Sequence, residues 1–215
     1  MKVTHFGHAC VLLEYDTPES TRILIDPGAY SQGFESIDDL DALLFTHSHA
    51  DHIDVNRVPA LVAANPGISV TADGATAAML TEHAVAHRVS VPGDALSVAG
   101  IGVDVLGGDH AVIHCDVPNV TNNGYLIDGR TLHPGDAFVD APDSVEVLLL
   151  PIGGPWMKIG EAVDYLRTIK PQVVIPIHQA GLAQAHQELH YSLLRNLGPT
   201  NCDVLVLEHG VAVSI

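Results

Sequence analysis

The chain of 215 residues carries 26 acidic against 9 basic side chains, a formal charge of −17, and is 47% hydrophobic. Such a balance repels phosphate backbones and anionic lipid surfaces, so nucleic acid and membranes are excluded as expected partners. No apolar run approaches the ~20 residues of a membrane span. A small molecule is the expected partner, with homo-oligomerisation left open. Met1-Lys2-Val3-Thr4-His5 lacks a signal-peptide layout. Cys10, Cys115 and Cys202 form an odd set without a Cys-x-x-Cys pair, so they read as small buried hydrophobes and the cytoplasm is the expected location. The length suits one domain over residues 1–215, burying roughly 70% of the surface the unfolded chain exposes.

In chain order, Val3 to Tyr15 reads as two short strands meeting at Gly7, and Arg22 to Ile25 as a third, ended by the turn Asp26-Pro27-Gly28. Their closeness predicts antiparallel pairing. The strand Ala42 to Thr46 follows, then a partly helical Val55 to Ala64 with Pro59 near the helix start. Ile68 to Thr71 is a strand, and Asp73 caps a helix over Gly74 to Leu80. Val85 to Val91, Ala95 to Val98 and Ile101 to Leu106 read as hairpins closed by Gly107-Gly108, and Asn122-Asn123-Gly124 as a turn. Tyr125 to Ile127 and Arg130 to His133 flank the hairpin signal Asp128-Gly129. The apolar runs Val145 to Pro151 and Val173 to Ile177 suit strands covered on both faces. Helical spacing over Gly160 to Ile169 and Ala185 to Leu197 predicts two amphipathic helices, the second burying Leu189, Leu193, Leu194 and Leu197. Asp203 to Leu207 and Val211 to Ser214 read as a closing hairpin. This order predicts sheets in the middle and helices outside.

The chemistry gathers at Thr46-His47-Ser48-His49-Ala50-Asp51-His52, where three imidazoles and a carboxylate follow the apolar Leu43-Leu44-Phe45. No packing argument asks for that. In extended chain His47, His49 and Asp51 share a face, and a turn brings His52 beside them. Three later strand ends carry a metal-capable side chain next to a turn: His110 after Gly107-Gly108, Asp136 in Pro134-Gly135-Asp136, and His178 after Ile175-Pro176-Ile177. Together these are five imidazoles and two carboxylates, an inventory for two divalent cations. His114 is an alternative to His110, but residues four apart in a strand lie ~13 Å apart, so only one can be a ligand, and the Gly-Gly turn favours His110.

With these motifs the chain resembles the metallo-β-lactamase fold superfamily, whose H-x-H-x-D-H signature residues 47–52 match in full. Within it the chain is most similar to UlaG-like metal-dependent hydrolases, through Gly7-His8-Ala9 and Pro151-Ile152-Gly153-Gly154. The resemblance implies an α/β (α+β) fold, a four-layer αββα sandwich of two mixed β-sheets flanked by helices. It implies that His47, His49 and His110 hold one metal, that Asp51, His52 and His178 hold the other, and that Asp136 bridges them. The cations would be zinc, with manganese or iron as alternatives. The implied activity is cleavage of an ester, lactone or phosphodiester bond of a small molecule by a metal-bridging hydroxide, which Asp51 would orient and deprotonate.

Other residues keep more than one reading. His8 is either a proton donor to a leaving group, or an oxyanion binder, or a structural hydrogen-bonding residue. His133 is either a second layer behind the ligands or a surface residue. Trp156 is a pocket wall, with Lys158 as an anion anchor, or a hydrophobic lid. Surface positions or helix ends account for most of His5, His83, His87, His186, His190 and His209. The competing functions are redox chemistry and a non-catalytic metal site. Iron-holding relatives tend to place Glu where this chain has His49, and 215 residues leave no room for a flavin domain, so hydrolysis is favoured.

Overall fold

The structure, a computed structural model, describes residues 1–16 and 20–215. Strands β1 (Lys2–His5), β2 (Val11–Tyr15) and β3 (Thr21–Ile25) run antiparallel, as their spacing predicts. Parallel to β3 come β4 (Ala42–Leu44), β5 (Ser69–Ala72) and the two-residue β6 (Arg88–Val89). Helix α1 (Val58–Ala64) has proline in its first turn, and α2 (Gly74–Glu82) is capped by Asp73, whose carboxylate accepts from the amides of Ala75 and Thr76.

The second half begins with the hairpin β7 (Ala95–Val98) and β8 (Ile101–Asp109), which continues antiparallel into β9 (Thr121–Ile127) and β10 (Thr131–His133). Strands β11 (Val147–Pro151) and β12 (Val173–Ile177) then add in parallel, separated by α3 (Ile159–Ile169), and α4 (Gln184–Leu197) follows.

Two seven-stranded sheets result. Alternation along the strands explains the layers. Leu44, Leu149 and Ile175 face a core shared by both sheets. Leu43 and Leu24 face outward onto α1 and α2, while Leu148, Leu150 and Val174 face outward onto α3 and α4. This is the αββα sandwich of two mixed sheets. Among the described residues no helix is long and apolar enough to cross a membrane.

Five expectations fail. The C-terminal hairpin does not exist: β13 (Asp203–Val204) joins β12 in one sheet and β14 (Val213–Ser214) joins β1 in the other. Asn122-Asn123-Gly124 is strand, because it pairs with Leu106 to Gly108 in a long β8–β9 ladder that turn propensity alone hides. Of Val85 to Val91 only Arg88–Val89 is strand, and it pairs in parallel with β5 instead of forming a hairpin. Helix α4 buries Tyr191 and Leu194, whereas Leu189 and Leu197 are exposed. Among the cysteines, Cys10 is buried but Cys115 is exposed.

Candidate metal centre

The loop after β4 is shaped from behind by Asp26, in the turn that follows β3. Asp26 is fully buried and adopts a left-handed backbone conformation, φ 50°. Its carboxylate accepts from the Thr46 amide (2.8 Å), the Thr46 hydroxyl (2.6 Å) and His52 Nδ1 (2.7 Å). Having given its proton to Asp26, the Thr46 hydroxyl can only accept from His47 Nδ1 (3.0 Å). Both rings therefore donate outward from Nδ1 and turn the Nε2 lone pair inward. The loop itself closes through the His52 and Ile53 amides on the His49 carbonyl (2.9 and 3.0 Å). It is clamped by the Ala29 amide on the Ala50 carbonyl (2.7 Å), an approach so close that a Cβ on Gly28 would lie 1.8 Å from the Asp51 carbonyl oxygen.

The second sheet brings its groups to the same rim. His110 lies one residue past β8, Asp136 three past β10 and His178 one past β12, and their rings are fixed in the same way. His110 Nδ1 donates to the Ala111 carbonyl (2.6 Å), and His178 Nδ1 to the Gly153 carbonyl. Asp136 sits at the meeting point, 3.2 Å from His52 Nε2, 3.4 Å from His110 Nε2 and 3.0 Å from His178 Nε2. Across from it, His47 Nε2 and His49 Nδ1 lie 3.1 Å apart.

Among the described residues the inward atoms lack hydrogen-bond partners. His52 Nε2, His110 Nε2, His178 Nε2 and Asp136 Oδ1 are buried and unbonded, a costly arrangement for polar groups in a protein interior unless something positive lies between them. Burial keeps His47 neutral, its pKa pushed well below the usual imidazole range. Burial would raise the pKa of Asp136, but His52 and His178 outweigh it and keep the carboxylate ionised. Burial opposes charge on His52 too, yet Asp136 and Asp26 draw a proton to it. Neutral imidazoles and an ionised carboxylate fit divalent cations, which displace such a proton on binding. Among the described residues, three groups at this centre have ligand atoms within 4.8 Å of one another, namely His47, His49 and His110; His8, Asp51, His52 and His178; and His47, His52 and Asp136; a fourth such group, His114, Cys115 and Asp116, is exposed.

All seven ligand candidates thus converge, with His8 beside them. His8 Nε2 donates to Asp51 Oδ2 (2.9 Å) while Nδ1 accepts weakly from the Ala180 amide (3.4 Å). Burial lowers its pKa to about 4. Its nitrogens are committed to the protein, which argues against free donation to a leaving group. His114 points away, 62% exposed beside Asp116. His133 is buried, donating to the Ala9 carbonyl (3.0 Å) and accepting from the Gly135 amide (3.2 Å), behind the cluster and not on the surface. Trp156 does not line the pocket: it is buried against Phe138, and its indole N–H donates to Asp136 Oδ2 (2.7 Å). Lys158 caps α3, where its amide donates to Glu161, and its exposed side chain does not line the pocket. Of the histidines read mostly as surface or helix-end residues, His5 is buried, bonded to the His8 carbonyl. Asp26 escaped sequence reasoning, although it meets the criterion applied to Asp136, a carboxylate at a strand end beside a turn.

Beside the cluster opens a pocket of about 390 Å³ whose lining includes His8, Tyr30, Asp51, Pro155, His178 and Leu182. Inward-facing imidazoles and carboxylates on a rim shared by two sheets form a cluster suited to divalent cations.

The family model described as the beta-lactamase superfamily domain matches residues 2–178, and the chain belongs to that superfamily. It is a metal-dependent hydrolase of the metallo-β-lactamase type. Protein Rv0786c of Mycobacterium tuberculosis is 45% identical over 216 residues, covering 98% of this chain and 99% of its own. A UPF0173 metal-dependent hydrolase of Aeropyrum pernix is 30% identical, covering 82% of this chain and 81% of its own. Among solved structures, Igni18, a metallo hydrolase from Ignicoccus hospitalis, superposes with a TM-score of 0.74 at 23% identity, covering 99% of this chain and 97% of that one.

Proposed function

We propose that the chain holds two divalent cations and hydrolyses an ester, lactone or phosphodiester bond of a small molecule. His47, His49 and His110 would hold one cation, Asp51, His52 and His178 the other, and Asp136 would be shared. The observation that carries this reading is the set of buried, unpartnered nitrogens converging on Asp136. Zinc suits these imidazole and carboxylate donors, as do manganese and iron. When bound, such cations supply Lewis acidity and lower the pKa of a coordinated water towards ~7.

The chain's own residues do the rest. Asp51 is the carboxylate on the pocket side. Burial would raise its pKa, but the hydrogen bond from His8 outweighs this and keeps it ionised. It is therefore ready to accept a hydrogen bond from an attacking water and orient it. His8 holds Asp51 in place, and the neighbouring pocket admits the substrate. Asp136→Ala and His52→Ala should each lower bound metal, measured by elemental analysis, and abolish hydrolysis of chromogenic esters and phosphodiesters. Full activity in either variant would contradict the assignment.

A further inference from the structure

Two glycines just past β11 open space for particular side chains. Neither Gly153 nor Gly154 has a positive φ, so backbone freedom is not what they supply. A Cβ on Gly153 would lie 2.8 Å from the Leu182 side chain, and one on Gly154 would lie 2.8 Å from Trp156 Nε1 and 3.1 Å from its Cδ1. The space at Gly154 lets the indole N–H reach Asp136 Oδ2 at 2.7 Å. Aromatic packing holds the rest of the indole. Trp156 lies 5.3 Å from Phe138 between centroids and Phe138 4.9 Å from Tyr165, whose hydroxyl donates to the Val139 carbonyl (2.8 Å).

The Asp136 side chain needs such a hold. Its backbone is anchored, the amide donating to Asn122 Oδ1 and the carbonyl accepting from the Ala111 amide (both 2.9 Å). Its carboxylate is less constrained, since Oδ1 has no hydrogen-bond partner among the described residues. His110 and His178 turn Nε2 towards Oδ2 (3.4 and 3.0 Å), but each gives its proton at Nδ1 and has none to offer there. The indole N–H is therefore the donor that fixes Oδ2. A carboxylate oxygen accepts at two sites, so Trp156 leaves one open on Oδ2 and both on Oδ1. Rotation that exchanged the two oxygens would break this bond, so the carboxylate keeps Oδ1 beside His52 Nε2 (3.2 Å).

We propose that Trp156 is a positioning residue of the metal centre, whose indole N–H, seated by Gly154, locks the Asp136 carboxylate so that a second cation can be taken up beside the first. This rests on the two-cation reading above. Oδ1, with both acceptor sites open, is then the oxygen the two cations have in common. A ligand carboxylate ordered in advance by a hydrogen bond spends less of the binding energy on its own orientation. Loss of the N–H frees the carboxylate to turn and serve one cation alone, so the second site suffers more than the first.

The test titrates zinc sulfate into the metal-free chain by calorimetry, with chelator competition for the tighter step. Wild type should take up two zinc ions. Trp156→Phe keeps an aromatic ring and removes the N–H. It should weaken the second step by about 10–100-fold, the usual effect of losing a hydrogen bond to a ligating group, and the first step by less. Gly154→Ala keeps the indole but pushes it off the carboxylate, and should do the same. The double variant should be no worse than Trp156→Phe, because both changes remove one bond. The chain has one tryptophan, so ultraviolet resonance Raman of the wild type reads this N–H directly. It should be strongly hydrogen-bonded with and without zinc, and more weakly so in Asp136→Asn. An unchanged second step in either variant, losses that add in the double variant, or an indole N–H without a hydrogen bond would overturn this inference and leave the hydrolase reading intact. The Raman result does so even if no variant folds. Wild type that takes up fewer than two cations would overturn both.

Discussion

Asp26 accepts three hydrogen bonds at the back of the cluster, and its removal would leave His52 Nδ1, the Thr46 amide and the Thr46 hydroxyl without their acceptor. Asp26→Ala should cost about 3–5 kcal/mol in the metal-free protein, the usual cost of stripping one partner from a buried pair, as read by chemical denaturation. Asp26→Asn keeps the size and tolerates the left-handed backbone, but it can no longer hold a charged or strongly polarised His52. Metal affinity should then fall by about 10–100-fold in a chelator competition. His5 makes a separate prediction. Burial lowers its pKa to about 4, whereas in the unfolded chain it titrates near 6.5. The unfolded state then binds the extra proton, so stability falls as pH drops from about 6.5 to about 4 and levels off below, by up to roughly 3 kcal/mol. His5→Gln should make the pH dependence of the denaturation midpoint shallower across that window. An unchanged slope would show that His5 is not held neutral.

At the level of elements, the site depends on loops pressed together at their backbones. A Cβ on Gly28 would sit 1.8 Å from the Asp51 carbonyl oxygen and 2.0 Å from its carbon, with no flexible side chain to yield. Gly28→Ala should therefore cost more than about 4 kcal/mol, with bound metal lost in parallel. Gly160→Ala, in α3 where an added Cβ meets nothing, is the control and should be neutral or slightly stabilising by up to ~1 kcal/mol. Such contacts explain what the sequence could and could not reveal. Residues 46–52 were legible because three histidines and an aspartate have no packing reason to stand together. His110 was separable from His114 by its place after the glycines. The pairing of β13 and β14 was not legible, because two-residue strands carry no periodicity and their partners lie far off in the chain. Nor was the bond from Trp156 to Asp136, since composition cannot tell a tryptophan that fills space from one that aims its N–H.

For the molecule as a whole, ligand candidates come from both sheets, so a cation bound among them ties the two halves together. At a free metal concentration of 100 times Kd this is worth about 2.7 kcal/mol, and with roughly 2–4 °C per kcal/mol for a chain of this size chelation should lower Tm by about 5–10 °C. The chain's one tryptophan touches Asp136, which makes its fluorescence a direct reporter of the same titration. A Tm indifferent to chelator, in protein shown to lose its metal, would disprove the cross-link.

Because the rim exists only once the sheets have docked, the cross-link also divides the two directions of folding unequally. A chain still unfolded offers a cation little beyond residues 47–52, so zinc should scarcely alter the speed of refolding. The folded molecule must tear the rim apart before it opens, so zinc should slow unfolding in stopped-flow traces. On that account the histidine cluster would be a clasp as well as the proposed reaction centre, and its grip would be felt as lifetime.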